Sequence, residues 1–142
     1  MPVDKRFRNS AVSQPWWIPY TPALTNLTLS NGTMTAAVAI VNKVATVRIR
    51  IVFGSSTAVT GPVSIGLPFT SSSTIQIVTA LIGASGSTVP LAGVGYIPAS
   101  SSAVQPFHAT NTTTTTQVQL GTVALTLGTN SSIMLQGTVE IA

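Results

Sequence analysis

The sequence predicts an all-β fold: about eight antiparallel strands in a β-sandwich or jelly roll, preceded by an extended N-terminal arm. Three observations carry this. Apolar residues recur at every second position in short runs, most clearly Ala45, Val47, Ile49, Ile51 and Phe53, the period of a strand with one buried face. Clusters of Gly, Pro, Asn and Ser separate these runs and punctuate turns. No stretch repeats at the 3.6-residue period of an amphipathic helix. Short strands without helices lead to a sandwich or barrel, and eight of them favour the jelly roll.

Residues 1–22 form the arm and 23–142 the β domain. Pro2, Pro15, Pro19 and Pro22 fall within the arm, and repeated proline blocks both helix and ladder. Leu24 to Ser30 alternates weakly and ends at Asn31-Gly32, a strong short hairpin signal. Thr33 to Val41 returns, and Asn42-Lys43 makes a second tight connection. Val44 to Phe53 is the clearest strand, with Thr46, Arg48 and Arg50 opposite its apolar face. Gly54 to Gly61 reads as a loop. Val63, Ile65, Leu67 and Phe69 alternate again, and Pro68 argues for an edge position. Thr74 to Ile82 follows, then a turn at Gly83 to Ser87. Val89 to Ile97 is a weaker strand broken by Pro90, Gly93 and Gly95. Pro98 to Thr115 reads as mostly irregular. Gln117 to Leu127 is a strand that loses phase at Gly121, as at a bulge. Ile133 to Ile141 closes the fold, with Ile133, Leu135, Val139 and Ile141 on one face.

Charge is scarce. Asp and Glu together number 2, Lys and Arg 6, and the charged fraction is 6%, against roughly 25% in an ordinary domain. No Asp, Glu, Lys or Arg lies between Ile51 and Val139. Acid–base catalysis needs groups that ionise near working pH, glycosidases need paired carboxylates, and hard cations need clustered acids. Asp4 and Glu140, near opposite ends of the chain, build none of these within one subunit. Cysteine is absent, which removes disulfides, thiolate nucleophiles and zinc–thiolate sites. We therefore expect no enzyme activity, no metal and no cofactor. Mean hydropathy is +0.49, yet every apolar run is far shorter than the roughly 18 residues of a membrane span. The first seventeen residues hold no apolar signal-peptide core.

Polarity comes from hydroxyls instead: Thr occurs 22 times and Ser 16 times. Such a surface is solvated without like-charge repulsion between copies, and it suits permanent assembly as well as a bland monomer.

Two clusters stand out. Lys5, Arg6, Phe7 and Arg8, with Trp16, Trp17 and Tyr20, give the arm a basic and aromatic character. Arg and Trp dominate binding hot spots, so an attachment arm is expected; the alternative is that the tryptophans plug the end of their own domain. Three basic residues are few for nucleic-acid binding. Lys43, Arg48 and Arg50 form a second possible contact face, read as a solvated sheet face or subunit contact rather than an anion site. That strand has no interleaved aromatics for stacking bases. His108 lacks an acidic orienter and reads as a loop residue at a surface or contact.

Trp17-Ile18-Pro19-Tyr20-Thr21-Pro22, Asn31-Gly32-Thr33, the strand Val44 to Ile51 running into Phe53-Gly54-Ser55-Ser56-Thr57, and Gly66-Leu67-Pro68 together resemble a β-sandwich domain of virion proteins from tailed phages of actinobacteria. Leu135-Gln136-Gly137-Thr138-Val139-Glu140 is similar to the last strand of that domain. The resemblance implies a structural protein on the virion surface, made in the bacterial cytoplasm. It implies a homotrimer whose partner is the major capsid protein or another virion protein. A capsid decoration protein anchored by its arm is the first expectation. A minor tail or tail-fibre module that meets host surface glycans is the alternative. No nucleic-acid partner and no membrane span are expected.

Overall fold

The computed structural model describes residues 16–84, 90–109, 117–122, 125 and 127–142. Among them there is no helix, and ten strands form one antiparallel sheet, nine of them in a single path: β1 (Ile18–Pro19), β2 (Leu24–Thr28), β3 (Thr33–Val41), β4 (Val44–Val52), β5 (Ala58–Gly66), β6 (Gln76–Gly83), β7 (Leu91–Ile97), β8 (Ala103–Ala109), β9 (Gln117–Gln119) and β10 (Ser132–Glu140). The order is β1-β3-β4-β10-β6-β7-β8-β5-β2, and β9 also pairs with β8. The all-β, antiparallel expectation holds. Two of the ten strands, β1 and β9, are too short to carry a periodic signal.

The sheet curls into a half-barrel, and its connectivity shows why. β2 and β3 are joined only by the four residues Leu29 to Gly32, yet they lie at or near opposite ends of the path. A link that short brings the two ends together. The Asn31-Gly32 turn therefore does not close a hairpin as the sequence suggests. β2 pairs with β5, from Leu24↔Ile65 to Thr28↔Ala58, while β3 pairs with β4 through Asn42-Lys43.

Side chains clamp the junction. Asn31 accepts the Ser56 N–H on Oδ1 at 2.8 Å and donates from Nδ2 to Ser55 Oγ at 2.9 Å. Thr57 Oγ1 donates to the Leu29 carbonyl at 2.6 Å and accepts the Gly54 N–H at 3.0 Å. These bonds tie the β2–β3 turn to the β4–β5 loop.

One face of the curled sheet is filled. Ala45, Val47, Ile49, Ile51 and Phe53 are buried as the alternation predicts, and so are Ile133, Leu135 and Val139 of β10. They share one apolar cluster with Leu27, Val63 and Ile65 from the β2–β5 end, so burial joins the two ends of the path. A fully buried Ile or Val contributes about 1.5–3 kcal/mol by area. Gly95 and Gly137 sit on this inner face because nothing larger fits. A Cβ on Gly95 would stand 2.5 Å from Val78 Cγ2 and 2.8 Å from Val104 Cγ2, and one on Gly137 would stand 2.7 Å from Val78 Cγ1. Glycine at such points lets a sheet bend tightly.

Three local expectations change. The segment read as irregular contains β8, whose inward residues are Val104, Pro106 and His108. Pro106 lacks the N–H that marks a central strand, but its carbonyl still accepts from Leu120 N at 2.8 Å. β5 begins at Ala58, inside the expected loop, and lies between β2 and β8. It is therefore not an edge strand, and Pro68 falls beyond its end. The expected long strand from Gln117 ends at Gln119, just before Gly121, which has φ of +92°.

Candidate functional site

The described part of the arm is attached to its own sheet. Ile18 and Pro19 pair with Val38 and Ala37 of β3, and the Tyr20 N–H donates to the Ala36 carbonyl at 3.0 Å. Pro22 is buried. Continuing this register places Trp17 opposite Ala39 and Trp16 opposite Ile40. Ala39 has the outward phase of β3, yet it is only 5% exposed. Trp17 turns over the outer face, with its ring 4.6 Å below the Arg48 guanidinium. The Tyr20 ring packs against the core cluster. Burial pushes its hydroxyl up to about 12, and the hydroxyl oxygen has no hydrogen-bond partner among the described residues.

Trp16 is 87% exposed and Ile18 56% exposed. Ile40, Val41 and Val44, at the adjoining β3–β4 hairpin, are also exposed. Exposed apolar side chains thus surround the point where the arm meets the sheet: Ile18 and Ile40 have the inward phase of Val38 and Ala45, and Val41 and Val44 have the outward phase of Arg48. Lys5, Arg6, Phe7 and Arg8 lie outside the described residues.

Arg48 and Arg50 project from the outer face of β4, in the centre of a broad sheet. Ladder register aligns Arg48 with Ala37 on β3 and Gln136 on β10, and Arg50 with Thr35 and Met134. The residues beside them are small or flexible, so a groove of about 500 Å³ runs between Pro19 and Met134. Next on the same face come Thr79 and Leu81 of β6. Lys43 sits at the hairpin tip, roughly 17 Å along the strand from Arg48. The only carboxylate side chain among the described residues is Glu140, opposite Val44 and roughly 20 Å along β4 from Arg50.

His108 does not lie at a surface. It is 2% exposed on the inner face of β8. Its Nδ1 donates to the Ala109 carbonyl at 2.8 Å, and Nε2 has no partner among the described residues. Inward phase places it there, in step with Val104, and the proline between them hides that phase in the sequence.

A second polar cluster lies at one end of the sheet. Asn31, Ser55, Thr129 and Asn130 line a shallow depression of about 300 Å³, with the Asn130 N–H donating to the Phe53 carbonyl at 2.9 Å. Sequence reasoning did not join these loops, because the turn at Asn31 and the turn at Asn130 are far apart in the chain. The aromatic partner of Arg48 was also missed, since Trp17 comes from another strand rather than from alternation within β4.

No protein-family model, curated protein or solved structure matches the chain.

Proposed function

We propose that the chain is a non-enzymatic structural protein of a tailed-phage virion, acting as a trimeric capsid decoration or accessory protein held by its N-terminal arm. The observation that carries this reading is the exposure of Trp16, Ile18, Ile40, Val41 and Val44 around one corner of the sheet, at the root of a basic, aromatic arm. Exposed aromatic and aliphatic side chains grouped in this way mark interaction sites. The resemblance of the turn and strand motifs to phage virion domains supplies the virion context. Scarce charge supports close packing of copies. In this reading the curl is that of a jelly-roll-like sandwich, with the β2–β5 part facing β3, β4 and β10.

Copy number tests it. Densitometry of purified virions of the encoding phage should give hundreds of copies per particle; a handful would sink the decoration role. Deleting Met1 to Ser13 should leave a folded trimer that no longer joins the particle, with sedimentation reporting the oligomer. Normal incorporation of the truncated chain would remove the anchoring role of the arm.

One observation favours a second reading, a tail or fibre module that contacts host glycans. The depression lined by Asn31, Ser55, Thr129 and Asn130 presents amides and hydroxyls, the groups that pair with sugar hydroxyls. Few copies per virion, with glycan binding lost on Asn130→Ala, would select it.

A further inference from the structure

We infer that the groove over β3, β4 and β10 binds an extended segment of a protein partner that carries carboxylates at alternate positions.

Charge is the first argument. Two arginines stand side by side on a sheet face whose one acid among the described residues, Glu140, has the outward phase of Val44, roughly 14 Å along the strand from Arg48 and so beyond ion-pair reach. No described carboxylate is close enough to pair with them, so the complementary surface is acidic.

Geometry is the second. Arg48 and Arg50 are two residues apart on one strand, about 7 Å. Carboxylates at every second position of an extended peptide repeat at the same spacing. Each guanidinium offers a planar fork that takes a carboxylate bidentately. Stacking on the Trp17 ring orients the Arg48 fork and leaves its N–H donors at the ring edge available.

The apolar floor is the third. Pro19, Ala37 and Met134 line the groove beside the arginines. A strand alternating acidic and apolar side chains would cover both kinds of surface. A nucleic-acid or sulfated-sugar chain would meet the arginines and leave the floor uncovered.

This inference does not depend on the virion reading, which copy number tests separately. The test is fluorescence anisotropy on the full chain, with a labelled Glu-Val repeat peptide, its Gln-Val counterpart and a labelled oligothymidine. The acidic peptide should bind, the Gln-Val peptide at least about tenfold more weakly, and Arg48→Ala or Arg50→Ala should each cost about tenfold or more. Arg48→Lys should recover only part of the loss, because charge is kept and the fork is not. Equal binding of the neutral peptide would overturn the inference. So would tighter binding of oligothymidine that depends on the same arginines, or no peptide binding by a chain whose two arginine variants shift its self-association.

Discussion

The guanidinium of Arg48 lies over the Trp17 ring, 4.6 Å from its centroid, and so joins the end of the arm to the centre of the sheet. Cation–π contacts at exposed sites contribute about 0.5–1 kcal/mol. In a double-mutant cycle with Arg48→Ala and Trp17→Ala, urea unfolding should give a coupling energy of about that size. A coupling indistinguishable from zero would mean that the stack contributes nothing in solution.

Closure of the curl rests on Asn31 and Thr57. Thr57→Val should destabilise by about 1–2 kcal/mol, because part-buried backbone groups lose their partner, and Asn31→Ala by about 0.5–1 kcal/mol, because its bonds are exposed and water replaces them. The double variant should lose less than the two effects added, since both side chains hold the same pair of loops. Chemical denaturation checks this, and strict additivity would show that the two clamps act separately.

Gly93 and Gly95 differ in what opposes a new methyl group. On Gly95 it meets side chains of Val78, Val104 and Leu135, which can shift, so Gly95→Ala should cost about 1–3 kcal/mol. On Gly93 it meets the Phe107 carbonyl, which is backbone in the β7–β8 ladder. Gly93→Ala should therefore be the more damaging of the two, as read by thermal melting, and a reversed order would contradict the close approach of β8.

Tyr20 confers an alkaline limit. Its folded value is raised from 10.0 to about 12 by burial. Above about pH 10 the unfolded chain releases this proton while the folded chain holds it. The stability it contributes is complete below pH 10 and is lost as pH rises through 12. Tyr20→Phe cannot ionise, so its urea midpoint should gain on that of the natural chain between about pH 9 and about pH 11.5. Near neutral pH the two should differ little, because the substitution removes a hydroxyl with no partner among the described residues. Parallel midpoints across the whole range would show that Tyr20 is solvated.

Much of the fold was legible from local periodicity. β4 runs from Val44 to Val52 with the predicted faces, and β10 buries Ile133, Leu135 and Val139 as expected. Alternation is a property of neighbouring residues, so it survives without knowledge of the partner strand. Arg48 and Arg50 were placed on one outer face for the same reason. Elements that break the period were lost: Pro106 hid β8 and the burial of His108, and two-residue β1 has no period to read.

By itself, then, the sequence determined the all-β class, the inward and outward residues of the long strands, and the absence of charge from Ile51 to Val139. Tertiary structure decided which strands pair. Asn31-Gly32 favours a tight turn, but a turn says only that the chain reverses, not that its two arms meet in one ladder. β2 goes to β5, where Leu27 joins Val63 and Ile65 in the core, because burial across the curl is a sum of long-range contacts. The same long-range pairing sets β1 against β3 and delivers Trp17 to Arg48, a neighbour that spacing along β4 could not reveal.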